Sequence, residues 1–235
     1  MKKIRIVLSL IILASCAKDA SNFTLKGHIK DLKKGTVYLQ RVKDSALVTI
    51  DSLNINGNSE FEFHTNLETP EVLYLKLNKQ DNDEGLISFF ADKGITEINS
   101  TLKNFYSDAK IKGSKQQEVL EEYQLMMAKF NNKNLDLIKS HLEAQKENDT
   151  SKINANLNEY NSLLKRKYLY TVNFAINHKD SDVAPYLALT EIYDANIKFL
   201  DTINNSLTPE VKTSKYGKAL EMYLENRKKL TDTLH

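Results

Sequence analysis

The chain has 235 residues, 41% hydrophobic and 27% charged, with 33 Lys and Arg against 31 Asp and Glu for a formal net charge of +2. That length allows one or two compact domains, and 7 Gly with 3 Pro are too few for a disordered, low-complexity or collagen-like chain. A single Cys excludes an intramolecular disulfide, a paired-thiol redox motif and a Cys-rich zinc site.

The chain opens with a basic group, Lys2, Lys3 and Arg5, then a stretch from Ile6 to Leu13 that is apolar apart from Ser9, then small Ala14 and Ser15 before Cys16. This order is that of a secretory signal. Its apolar core is far short of the roughly 20 residues that cross a bilayer as a helix. Leu13-Ala14-Ser15-Cys16 resembles the lipobox of bacterial lipoproteins. The resemblance implies cleavage between Ser15 and Cys16 and lipid on the Cys16 sulfur, with 1–15 as signal peptide and 16–21 as a lipidated tether. Each buried methylene contributes about 0.8 kcal/mol, so one acyl chain holds weakly and the three typical of this class hold stably. The expected partner is therefore the membrane, through that lipid, with the outer membrane facing the periplasm as the expected location. Ala17-Lys18-Asp19-Ala20 lacks the acidic run that sends some lipoproteins to the cell surface. Loss of Lys2, Lys3 and Arg5 takes the formal charge from +2 to −1. With no basic surplus, nucleic acid is not an expected partner.

Residues 22–113 alternate apolar and polar side chains and hold six of the seven Gly. Strands are predicted at Phe23 to Ile29, Val37 to Leu39, Leu47 to Ile55, Phe61 to Phe63, Glu71 to Leu77, Leu86 to Phe90, Ile95 to Ile98 and near Ile111. Asn56-Gly57-Asn58 predicts a hairpin with a type I′ turn. The expected fold class is α+β: an N-terminal antiparallel β-sandwich or barrel-like domain followed by a C-terminal bundle of about four helices over 114–235. The helical period is carried first by Val119, Tyr123, Met126, Phe130 and Leu137, then by Ile153, Leu157, Tyr160, Leu164 and Tyr168. A third helix is expected from Asp182 as N-cap, and a fourth from Thr208-Pro209-Glu210. Breaks fall near 147–150, 178–181 and 204–207.

Phe23-Thr24-Leu25-Lys26-Gly27-His28-Ile29, Gly35-Thr36-Val37-Tyr38-Leu39, Ile50-Asp51-Ser52 and Asn56-Gly57 before Phe61-Glu62-Phe63 resemble, in that order, an uncharacterised β-rich domain of bacterial envelope lipoproteins. Pro70 before the Tyr74 strand, Phe89-Phe90, Gly94 and Ile111-Lys112-Gly113-Ser114 continue the likeness. Such proteins continue into a thioredoxin-like thiol-disulfide oxidoreductase domain, whereas this sequence ends at His235 without a catalytic dithiol. No residue here inherits the oxidoreductase role, because both nucleophile and resolving group must be Cys. The resemblance implies the accessory part of that architecture without its enzyme; the expected function is a non-catalytic binding or scaffolding module, in a narrower version one that works with a separate thioredoxin-like protein. The alternative expectation is a receptor for a small molecule or glycan, and the third is an unrecognised hydrolase.

No catalytic, cofactor or metal constellation is expected. His28, His64, His141, His178 and His235 are scattered, without the i, i+4 pairing of a helical zinc site. Asp81-Asn82-Asp83-Glu84-Gly85 departs from a calcium loop in the placement of its Gly and in Asp92 at the twelfth position. Ser162-Leu163-Leu164-Lys165 fits the S-x-x-K of penicillin-recognising enzymes, with partial echoes at Ser181-Asp182-Val183 and Lys212-Thr213-Ser214, but in a helical context where those motifs require a strand. Lys165-Arg166-Lys167 and Arg227-Lys228-Lys229 read as solvated helix faces, and Tyr123, Met126 and Met127 as core. Four Asp-Ser/Thr-apolar tripeptides resemble a bacterial O-glycosylation acceptor, which makes Ser45, Ser52, Thr202 and Thr233 candidate modification sites.

Overall fold

A computed structural model describes residues 21–78 and 85–232. Eight strands come first: β1 (Phe23–Lys30), β2 (Lys34–Lys43), β3 (Ala46–Asn56), β4 (Glu60–Thr65), β5 (Glu71–Leu77), β6 (Leu86–Ala91), β7 (Gly94–Thr101) and β8 (Lys110–Lys112). Among the described residues six helices follow: α1 (Lys115–Lys146), α2 (Thr150–Asn177), α3 (Val183–Thr190), α4 (Ile197–Ser206), α5 (Pro209–Thr213) and α6 (Lys215–Asp232). The class is α+β, and the strands form two four-stranded sheets, β4-β1-β7-β8 and β3-β2-β5-β6, with no barrel closure.

The chain passes repeatedly from one sheet to the other, and this explains two departures from the sequence pattern. Gly57 does turn the chain, at φ 96°, and its N–H donates to the Lys33 carbonyl at 2.8 Å. Asn56 stays out of the left-handed region, and β3 and β4 lie in different sheets, so this turn is a crossover rather than the expected hairpin. The tight hairpin is at Asp44-Ser45, where φ is 49° and 65° and Lys43 pairs with Ala46. Two consecutive positive φ angles are the signature of a type I′ turn, which matches the right-handed twist of the flanking strands. The second departure is the β1–β7 ladder, which is parallel, because both strands enter the sheet from the same end of the sandwich. Gly27 sits at the centre of that ladder, and a Cβ there would run into the Ile98 carbonyl oxygen and the Phe61 ring.

Period-two patterning gives each sheet an apolar inner face. Phe23, Leu25, Ile29, Phe61, Phe63 and Ile98 from one sheet meet Val37, Leu39, Leu73, Leu75 and Phe89 from the other in one buried core. β5 and β6 are apolar on the inner face and, around Val72 and Phe90, on the outer face as well, as strands covered on both sides are. Their outer face carries Val72 and Phe90, which join Leu120, Tyr123, Met127, Phe174, Val183 and Leu187 in a second core beneath the helices. The result is three layers, sheet on sheet on helices. A third core is purely helical, built from Val172, Ala188, Leu200, Ile203, Leu220 and Leu224 among others.

The extra helices arise from side-chain caps. Asn196 Oδ1 accepts from the Lys198 N–H at 3.0 Å to start α4, Thr208 caps α5, and Ser214 Oγ accepts from the Gly217 N–H at 3.3 Å to start α6. Asp182 stands at the N-cap position of α3 but makes no capping bond; Ser181 Oγ accepts from the Val183 N–H at 3.2 Å instead.

Candidate functional site

Of the sequence-derived site residues, Ser15, Cys16 and Thr233 lie outside the described residues, as does the acidic loop at 81–84. The structure does not gather the other three. Ser45 is exposed at the tip of the β2–β3 hairpin, Ser52 is exposed on β3, and Thr202 is exposed on α4, where its hydroxyl donates to the Lys198 carbonyl at 2.7 Å. Ser162 and Lys165 are solvent-facing on α2, whereas Ser181 is buried against Gln116, so the structure does not bring the S-x-x-K echo together with its second partial motif. Among the described residues no group of three or more His, Cys, Asp and Glu is placed to hold a metal. Arg227 departs from its reading as a solvated cation: its guanidinium donates to the carbonyls of Tyr193 and Ala195 at 2.8 and 3.0 Å and pins the α3–α4 connection.

The junction between sandwich and helices is built for rigidity. Glu71, 6% exposed, receives Arg41 from β2 at 3.5 Å and Lys215 from the start of α6. The Val72 N–H donates to the Tyr216 hydroxyl at 2.9 Å, and the Phe90 N–H to Gln117 Oε1 at 2.8 Å. Phe90, Tyr186 and Tyr216 meet edge to face with centroids 5.2 to 5.6 Å apart. Burial holds the Tyr216 and Tyr123 phenols neutral, far above the ordinary range. Asp182 is raised above its usual carboxylate value first by burial and then by Asp92 and Glu210, while a bond from Ser214 pulls the other way. One of its oxygens, Oδ1, is buried without a partner.

Two surface features remain. The first is a polar cleft of about 660 Å³ on the outer face of the β4-β1-β7 sheet, lined by Lys26, His28, Glu60, Glu62, Glu97 and Asn99. Its side chains already satisfy one another in part: Glu62 lies 3.3 Å from His64, whose other ring nitrogen bonds Thr24, and Asn99 donates to Glu97 at 2.5 Å.

The second is the outer half of the α1–α2 pair. At about 1.5 Å per residue, α1 is roughly 48 Å long, twice the reach of the seven-residue β5 that it leans toward. Its first turns bury Leu120, Tyr123 and Met127, and the last turns of α2 bury Phe174 and Ala175. In the outer half the side-chain bonds run between the two helices, Lys133 to Glu159 at 2.8 Å and Ser140 to Asn156 at 3.2 Å. Leu137, Ala144 and Leu163 are buried there, apart from all three cores. Leu135, Ile138 and Leu142 on α1, with Leu157 and Tyr160 on α2, remain 43 to 62% exposed. A groove of about 200 Å³ runs among Ile138, His141, Leu142, Asn156, Leu157 and Tyr160, and a second, of about 150 Å³, shares Tyr160 and includes Asn134, whose Oδ1 is buried without a partner. This face was legible only as a second apolar stripe, Leu135, Ile138 and Leu142, beside the one that meets α2.

The described residues thus form an α+β architecture of a two-sheet sandwich and a helical arm with an exposed apolar face. Residues 23–120, from β1 to the first turns of α1, match the family described as a domain of unknown function, DUF4369. No curated protein matches the chain.

Proposed function

We propose that the chain is a lipid-anchored, non-catalytic protein of the cell envelope, held by lipid on Cys16 and acting as a binding or scaffolding module. The observation that carries the binding role is the unpartnered apolar face of the outer α1–α2 arm, since exposed contiguous apolar surface of this kind is retained where another surface covers it. The anchor rests on the sequence motif at 13–16. The likeness to domains that precede thioredoxin-like enzymes supports the narrower reading, in which the arm serves a separate thioredoxin-like partner. Cys16→Ser is expected to move the protein from the membrane fraction to the soluble fraction; unchanged fractionation would remove the anchor from the proposal. Exposure of Ser45 at a hairpin tip makes it the best-presented O-glycosylation acceptor, and a glycan mass lost in Ser45→Ala is the corresponding test.

A second reading, a receptor for a small molecule or glycan, is favoured by the polar cleft on the outer sheet face. Specific ligands of that cleft would raise the melting temperature of the whole chain, and Glu97→Gln would abolish the rise.

A further inference from the structure

We infer that the occupant of the outer arm is a second copy of this chain, packed antiparallel along α1 about a two-fold axis near His141. The inference rests on reading the arm as a docking surface and names its partner. Leu135, Ile138 and Leu142 follow the i, i+3, i+7 spacing that puts three side chains on one helical face, at 62, 46 and 52% exposure. Asp136, Lys139, Glu143 and Lys146 flank that stripe. All four are exposed, and among the described residues none is ion-paired.

Their signs alternate along the helix, minus, plus, minus, plus. Read from the other end the order is plus, minus, plus, minus. An antiparallel copy with Asp136 opposite Lys146 and Lys139 opposite Glu143 therefore sets every charge against an unlike one. All four lie on one flank of the stripe, so in a parallel two-fold pair they would face the partner's opposite flank and form none of these ion pairs. The antiparallel register brings the two Leu142 side chains beside the axis and flanks them with Ile138, so that part of the stripe meets its own copy as a two-fold contact must, while Leu135 falls at the rim opposite the end of the partner helix.

The size of the surface bears on where the contact forms. The exposed apolar residues of the arm present roughly 500 Å², near the upper end of what a lone monomer shows. Two such faces together approach only the low end, about 1,200 Å², of specific interfaces. A contact of that size is weak in dilute solution, and two copies confined to one membrane reach it through raised effective concentration.

The test uses the full chain in its own membranes, where acylated Cys16 offers no thiol, with Leu142→Cys and a short bis-maleimide. A crosslinked species of twice the chain mass is expected from Leu142→Cys and not from Leu125→Cys, far from the axis on the same helix. Lys139→Glu or Glu143→Lys added to Leu142→Cys is expected to lower the yield roughly ten-fold through like-charge contact. The double exchange, Lys139→Glu with Glu143→Lys, should restore it, and an unchanged helical circular dichroism signal excludes misfolding as the cause. No restoration by the exchange overturns the antiparallel pairing. An adduct with a different protein overturns the second copy while leaving the arm a docking surface; no adduct of any mass overturns both.

Discussion

The inner and outer halves of the α1–α2 pair carry apolar residues at similar helical spacing and meet opposite surroundings. The inner half lies under β5 and β6, where Tyr123, Met127 and Phe174 share a core with Val72 and Phe90. The outer half extends past the sheet and leaves Leu135 and Leu142 in solvent. Patterning decides which residues can pack, and the length of the neighbouring element decides which do. Stability is thereby concentrated at one end of the helix: the first half holds the molecule together, and the second is the half that the proposed function makes a docking surface.

That separation breaks most visibly in the inner half. Phe90→Ala removes a fully buried ring that touches Tyr186 and Tyr216, and urea unfolding should report a loss of about 3–5 kcal/mol. Glu71→Ala strips the shared carboxylate from Arg41 and Lys215. Because both cations are partly exposed, at 28% and 38%, a loss of about 2 kcal/mol is expected by the same measurement, below the usual cost of breaking a fully buried pair.

Asp182 sharpens the comparison through pH. Its folded carboxyl ionises above the ordinary value of 3.8, so between the two values the folded chain binds more protons than the unfolded one and stability falls as pH rises. Asp182→Asn should therefore melt higher than the parent at pH 7, and the gap should narrow as pH falls toward 4. Smallest of all is the outer half: Leu135→Ser or Leu142→Ser is expected to change stability by no more than about 0.5 kcal/mol in urea titration. A loss on the Phe90 scale would mean that the arm is part of the core.

Much of this fold was legible in residue order. The β1 pattern Phe23, Leu25, Ile29 and the apolar-rich β5 and β6 announced strands, and Ser114 announced the start of α1. The turns were harder. Asn56-Gly57 has hairpin chemistry and serves a crossover, while Asp44-Ser45 lacks Gly and forms the type I′ turn, because tertiary pairing can impose positive φ on Asp and Ser at modest cost. α4 escaped notice because Ile197, Leu200 and Ile203 run into Asn204-Asn205-Ser206, which resembles a loop. Parallel pairing of β1 with β7 is a long-range fact that local alternation does not encode. For the candidate site the limit is similar: the stripe Leu135, Ile138, Leu142 is visible in the sequence, but whether a stripe is covered depends on what lies across from it.

The most direct measurement places a photo-activated crosslinking amino acid at position 142, with position 88 on the sandwich as control, in cells making the lipidated chain. Defined protein adducts from Leu142 and none from Ser88 are expected if the outer arm is the recognition surface. Adducts from Ser88 alone, or from neither position, would contradict it.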